Sequence, residues 1–579
     1  MWTAGHRAAL LVTALLAVLV TWPLVVDPVT APVGHPGNDV WNHLWGYWWV
    51  KEELLAGRLP LRTDLMSWPT TSRLFFIDTF GALLTLPIQL LGGVVLAYNT
   101  VILVTTWMAG YATWALARHV TAEVRGPGTA TDTAALVAAA AWMSSPHLVA
   151  QTHNGITETL FAAGLPAAAL ALLRLYANPG PLRAALAAAA VAVCVLANWY
   201  YGLFAVLAGG VLLLGHVFTR RERTDWRRLL PHLGAAAAAA ALVVSPVLLA
   251  FASTLDGEDA IVQRDPEFVW RSLVDHNMTD VVSGFHPGKF YSPDLKALHG
   301  EDLLIVTYLG WALMGLAVAG LATMRRWRDR LPWLAWMGVF YLLMLGPYLY
   351  VNGAYLTLAD RKIPLPFLAL FEVIPVFSRI SHPFRFVMPV QLGMALLAAR
   401  ALVGLPGWAR VVAGGAILVE NLVLSPAPWP LARSDAHMPD HVAVLAEDPA
   451  PGGVLDLPVT VPNLERAVYL YWQTGHRRAS PYQLNEPLPG VLRRSHLVQL
   501  LLVAEGGRVD SLPPVLPTLD LVASGKALEA LGARYVVLHE SLYPPDRRAL
   551  AIALLRTTFG PETVTTDDGR RIWRLEPSP

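Results

Sequence analysis

His35-Pro36-Gly37-Asn38-Asp39-Val40-Trp41-Asn42-His43-Leu44-Trp45-Gly46-Tyr47-Trp48-Trp49 follows the first long apolar run of the chain and leads through Gly57-Arg58-Leu59-Pro60 and Thr63-Asp64 to Trp68-Pro69. A turn at Gly37-Asn38-Asp39 opens an aromatic segment. From Val40 to Leu55 the pattern predicts an amphipathic helix lying at a membrane interface, where an indole ring satisfies both its apolar body and its polar N–H. The whole segment 27–95 is too long and too polar to be a mere connector.

Outward from this loop the chain is built for a bilayer. It is 55% hydrophobic and 15% charged, where a soluble chain carries about 25% charged residues. A spanning helix needs about 20 mostly apolar residues. Such runs occur at 8–26, 97–118, 133–150, 156–176, 184–199, 203–219, 232–252, 303–323, 332–350, 386–403 and 410–426, which predicts about 11 transmembrane helices over 1–426. Met1 to Arg7 could open a signal peptide, but the run that follows is longer than a signal core and reads as a helix.

The 43 basic and 42 acidic residues nearly cancel, so charge informs only loop by loop. Arg220, Arg221, Arg223, Arg227 and Arg228 form one cluster, and Arg325, Arg326, Arg328 and Arg330 another. Basic loops are retained inside, which puts the N-terminus inside and 27–79, 253–302, 351–385 and all that follows 427 outside. Parity then requires 80–95 to be interfacial or re-entrant. Over 427–579 the character changes: Val454–Pro458, Arg534–His539 and Arg571–Leu575 read as strands, and Ala527–Leu531 and Asp546–Leu555 as helical. The expected architecture is an α-helical polytopic membrane protein with a C-terminal external, periplasmic α/β domain.

Three polar clusters fall at the external junctions. Asp39 is a candidate general base beside a low-dielectric wall, with His43 one helical turn on; helix capping alone would also account for an aspartate there. Ser144 to Glu158 carries His153, Asn154 and Glu158 to the start of a span. A carboxylate at that depth is a functional candidate, although the first turn of a helix also favours negative charge. His153 and Asn154 suit a polar loop as well as a pocket. Arg379, His382 and Arg385 lie between Pro375 and Pro383 in an irregular segment, where guanidinium forks match phosphate oxygens; anchoring to acidic segments or lipid headgroups would use the same residues. Lys289 and Asn198–Tyr201 are weaker candidates, explained by a basic loop and an aromatic belt. The single Cys194 excludes an internal disulfide, and no Walker, His-Glu-x-x-His or Gly-x-Ser-x-Gly motif supports ATP hydrolysis, zinc proteolysis or α/β-hydrolase chemistry.

Gly37-Asn38-Asp39 after the first span, the Trp-rich helix with its Gly57 and Pro60 exit, Thr63-Asp64 with Trp68-Pro69, and Ala97-Tyr98-Asn99 together resemble the GT-C superfamily of polyprenyl-phosphate-sugar-dependent integral membrane glycosyltransferases. Ser378-Arg379 through His382-Pro383 to Arg385-Phe386, and the stretch Leu528 to Val537, extend the resemblance over most of the chain. It implies a bacterial inner-membrane enzyme of the cell envelope that transfers a hexosyl or pentosyl group, with inversion, from a polyprenyl-phosphate donor to an external glycan, lipid or protein. An Asp of the first external loop is essential in that superfamily, and Asp39 is the matching position. The superfamily's Asp-Glu or Asp-x-Asp of a later loop is absent here, so a divalent metal stays an open expectation and no other cofactor is assigned. Asp39 and Glu158 are then the expected catalytic residues, and His43, His153, Asn154, Arg379, His382 and Arg385 the expected substrate-binding ones. Membrane lipids are expected partners and nucleic acid is not. Two rivals remain: a transporter or lipid-linked-glycan flippase, and a non-catalytic assembly protein of the same fold.

Overall fold

The computed structural model describes residues 4–220, 224–255, 260, 266–287, 303–461, 465–484, 488–506, 520–543 and 545–576. Lys289, Arg221 and Arg223 lie outside these residues. Each apolar run of the sequence overlaps a helix or a bent helix pair, but the lengths differ: 303–310 is not helical and the helix there begins at Trp311, and the run 332–350 outlasts its helix, Trp327–Met344. Among the described residues six helices are long and apolar enough to cross a membrane: Leu86–Arg125, Thr157–Ala177, Trp199–Thr219, Trp226–Ser253, Pro383–Leu402 and Gly407–Leu424. Thr129–Met143 and Pro146–His153, bent by 41°, make a seventh if they are one span. Ala4–Val20, Pro181–Ala197 and Trp311–Ala322 are apolar but shorter.

The long helix Leu86–Arg125 explains the ambiguous stretch 80–95. Its first residues continue from a short helix, Thr79–Leu84, and the backbone breaks at Gly93, which adopts φ 85° where other residues would be strained. Burial sorts the bundle into centre and rim. In Pro383–Leu402 83% of the apolar window is inside the protein, against 17% in Trp226–Ser253, so the first is a core helix and the second turns its apolar side chains outward.

The aromatic helix, α1 (Val40–Leu55), differs from expectation. Every residue from Val40 to Val50 is buried, so the helix does not lie with one face on lipid. It is enclosed between the bundle and a helix of the C-terminal segment, α2 (Val468–His476): the Trp45 indole N–H donates to Gln473 Oε1 at 2.7 Å, and Trp41 packs against Tyr471 with ring centroids 5.1 Å apart. Protein partners take the place of headgroups for the amphipathic indoles.

Beyond residue 427 the chain forms a four-stranded sheet. Strand β1 (Gly453–Leu457) runs parallel to β2 (Ala533–His539), and β4 (Arg570–Arg574) pairs antiparallel with both β2 and the short β3 (Val564–Thr565), giving the order β1-β2-β4-β3. Every residue of β1 and β2 is buried, as continuous apolar strands covered on both faces require. Gln473 fastens this part to the first loop, its amide donating to Leu65 O at 2.6 Å and Arg478 O at 2.8 Å.

Candidate active site at the junction of the first loop and the bundle

Asp39 is the residue that opens α1, yet its side chain makes no cap hydrogen bond to the helix backbone. Its Oδ1 instead accepts from the Asn42 amide at 2.9 Å, and its backbone N–H donates to Asn154 O at 3.0 Å. Capping therefore does not account for an aspartate at this position, which is partly open to solvent.

Four residues on, His43 is 4% exposed and held through Nδ1. Nδ1 is 2.9 Å from Thr157 Oγ1, and the Thr157 hydroxyl donates in turn to Asp78 Oδ2 at 2.5 Å. With its own proton given to Asp78, Thr157 accepts from His43, so Nδ1 carries the imidazole hydrogen; this tautomer follows from the network. The other nitrogen, Nε2, faces Glu158 Oε2 at 3.3 Å. Glu158 is 3% exposed, and Oε2 has no hydrogen-bond partner in line. The charges of His43, Arg385, Asp78 and Asp39 all act on it.

Glu158 lies in the first turn of the span Thr157–Ala177, and that turn is not α-helical. It occupies a single 3-10 turn, Thr157–Leu160, and the α-helix proper begins at Gly164. A one-turn dipole is a weak reason for a buried carboxylate. The turn is brought against α1 by Gly155. Its φ of 73° suits glycine, and a Cβ there would sit 2.7 Å from the Val40 backbone nitrogen.

Asp78, which the sequence reading passed over, is the deepest acid of the cluster at 0% exposed. It accepts from Thr157, from the Tyr47 hydroxyl at 2.6 Å and from the Gly81 N–H at 3.1 Å. Burial pushes its carboxyl up to about 6, against the lowering effect of these donors. The signal was available in the sequence: a lone charge between Phe75 and Leu84 in an otherwise apolar stretch has to be paid for by a specific partner.

The remaining candidates divide. Arg385 stands with its guanidinium 4.9 Å over the Tyr200 ring, and its Nε is buried with no hydrogen-bond partner. His382 bonds Ser381 at 2.7 Å through Nδ1. Arg379, on the turn Phe377–Arg379, is exposed. His153 is buried against the His35 ring with centroids 5.3 Å apart. The Asn154 amide is committed to Leu304, donating to its O at 2.8 Å and accepting from its N–H at 2.9 Å. It therefore fixes the loop that fixes Asp39.

Beside this polar group runs an apolar cavity of about 420 Å³, with Phe75, Ile77, Phe80, Leu84, Trp199 and Leu248 among its walls. Ile77 and Thr79 flank Asp78, and Trp199 precedes the Tyr200 that carries Arg385. The cavity walls are thus sequence neighbours of the acid and of the arginine's aromatic partner, while Asp39, Asp78, Glu158 and Arg385 are not themselves among the lining residues.

No family model and no curated sequence matches the chain. Among solved structures, the mycobacterial arabinofuranosyltransferase AftD is similar with a TM-score of 0.58 at 15% identity, over 99% of this chain and 40% of that one. The chain has the GT-C fold. It spans 40% of the length of that transferase. The oligosaccharyltransferase of Archaeoglobus fulgidus (TM-score 0.47, 12% identity, 96% of this chain and 71% of that one) and ArnT from Cupriavidus metallidurans (0.41, 14%, 98% and 98%) are also similar to it.

Proposed function

We propose that this GT-C chain is a membrane glycosyltransferase that takes a sugar from a polyprenyl-phosphate donor and passes it to an acceptor hydroxyl at the outer face of the inner membrane, with residues 427–579 as an external domain. The observation that carries the reading is the convergence of a partly buried arginine and three carboxylates around Glu158, with an apolar cavity walled by residues that neighbour Asp78 and Tyr200 in sequence. A polyprenyl tail suits the cavity walls, and a phosphate at its polar end meets Arg385. The anomeric carbon then lies toward Asp39 and Glu158. Asp39, the most open of the acids, takes the acceptor proton as the new C–O bond forms and the bond to phosphate breaks. The Arg385 charge stabilises the phosphate as it leaves. Glu158 and His43 orient the acceptor, and Asp78 and Thr157 hold the His43 ring in place. Glu158 Oε2, a buried carboxylate oxygen without a hydrogen bond, fits a divalent cation; Asp39 and Glu158 are the residues that would hold one, and its charge would add to that of Arg385. The concentration of polar groups at one junction, rather than at the midpoints of paired broken helices, favours transfer over transport.

The donor class is tested in membranes carrying the protein. Label is expected to pass from polyprenyl-phosphate sugars and not from nucleotide sugars, and filling the cavity with Leu248→Trp is expected to weaken use of long-chain donors more than short-chain ones. Transfer from nucleotide sugars alone would contradict the reading.

A further inference from the structure

A second cluster of chemistry-bearing side chains lies far along the chain in the sheet-bearing segment. His441 comes from the helix Asp440–Glu447, Asp456 from β1 and His539 from the end of β2. One ligand-type atom from each lies within 4.8 Å of the others, and the three residues are 0%, 2% and 1% exposed. Among the described residues this is the one such group of three.

Two of the three are already engaged. His539 Nε2 donates to Asp456 Oδ1 at 2.8 Å, and its Nδ1 accepts from Arg570 Nε at 3.1 Å. His441 is different. Both of its ring nitrogens are buried without a hydrogen-bond partner, and its neighbours are the Trp472 and His539 rings, at 5.2 and 5.0 Å between centroids. An imidazole enclosed in this way loses its hydration and regains nothing, where phenylalanine would fill the space freely. The neighbouring rings also fix geometry, with Tyr469 stacked on His539 at 5.2 Å and Trp472 tilted against it at 4.7 Å.

We propose that His441, Asp456 and His539 form a binding site for a divalent transition-metal ion of the zinc class, which clamps the helix Asp440–Glu447 onto β1 and β2. Two imidazoles and one carboxylate are a borderline-soft donor set that suits zinc and its neighbours over magnesium or calcium. Metal–ligand bonds of about 2.0 to 2.2 Å in a tetrahedron put donor atoms about 3.3 Å apart, so the His539–Asp456 contact opens slightly and His441 closes in. The ion takes the place of the proton between His539 and Asp456. That proton moves to His539 Nδ1, and Arg570 releases this nitrogen for Asp568, with which it is already paired. Three protein ligands leave a fourth position for a small exchangeable one.

The test uses the full chain, purified in detergent and stripped with a chelator, then titrated with Co²⁺ and afterwards with Zn²⁺. One Co²⁺ per chain with the visible absorption of a four-coordinate site is expected, displaced by Zn²⁺, together with a rise in melting temperature on Zn²⁺ addition. His441→Phe is expected to fold with an equal or higher melting temperature without metal and to lose the cobalt spectrum, its affinity falling by at least the about 100-fold that loss of a supporting partner already brings. Asp456→Asn, which keeps an oxygen to accept from His539, serves as a second ligand variant should His441→Phe not fold. Asp39→Asn is expected to keep the spectrum, which separates this site from any metal at the membrane junction. No uptake by the wild type, or equal uptake by the wild type and both ligand variants, would overturn the proposal.

Discussion

Two buried glutamates at the bundle are treated in opposite ways. Glu420 accepts from the Tyr308 hydroxyl at 2.5 Å and from the backbone N–H groups of Trp311 and Ala312 at 2.6 and 2.8 Å. It caps the helix Trp311–Ala322, whose first N–H groups would otherwise be orphaned, and little of its bonding capacity is left for a ligand. Glu158, equally enclosed, has no such set of donors: Oε2 faces His43 out of line and shares its surroundings with Arg385, Asp78 and Asp39. The difference teaches that burial of an acid in a membrane protein does not by itself mark a site. Glu420 is satisfied by the fold, whereas Glu158 is held by the fold but not satisfied by it.

The widest separation between the two regions is expected in catalysis. Glu158→Gln should lower transfer about 100-fold, the scale of a lost electrostatic partner at a reacting centre, while leaving the melting temperature equal or higher because a buried charge has been removed. Glu420→Gln should do the reverse: one of three donors loses its acceptor, at a cost of about 1–3 kcal/mol in stability, with transfer per folded molecule unchanged. Rates normalised to folded protein, with thermal melts of both variants, check this pair. A large rate loss in Glu420→Gln at unchanged stability would break the comparison.

Smaller effects sharpen it. Arg385→Gln should raise KM for the donor about 10-fold, as loss of a charge-assisted phosphate contact does, whereas Arg379→Gln, at an exposed position, should leave KM alone; donor titrations of the two variants decide. The smallest expected effect is on pH. With its carboxyl pushed up to about 6 by burial, Asp78 contributes most to stability when protonated. That contribution is fully present below the ordinary carboxyl range near 3.8 and is lost as pH rises through about 6. Melting temperature against pH should show this slope in the wild type, and Asp78→Asn should flatten it.

How far the sequence could be read follows from what each signal contains. The helix starting at Asp39 was legible because a Gly-Asn-Asp turn precedes a helical aromatic pattern, and the short buried runs around Val454 and Tyr535 and the alternating run around Ile572 fall on strands. Its surroundings were not legible: periodicity reports that Trp41, Trp45 and Trp49 want apolar contact, not whether lipid or Tyr471 and Gln473 supply it. The spacing from Asp39 to His43 promised a shared face, yet His43 bonds Thr157 and faces Glu158, more than 100 residues away. Asp78 stood out as a lone charge in an apolar stretch, but its partners Tyr47 and Thr157, which come from distant segments, could not be read from the sequence. Arg379 and Arg385 looked equivalent by composition; the turn at Pro383 sends only the second toward Tyr200.

The most direct test of the central claim is transfer of labelled sugar from a polyprenyl-phosphate donor by purified wild type and Asp39→Asn, measured at equal amounts of folded protein. The wild type should transfer, and Asp39→Asn should fall by about 100- to 10,000-fold, as loss of a general base requires. Equal transfer by the two would contradict the assignment of this junction as the place where the glycosidic bond is made.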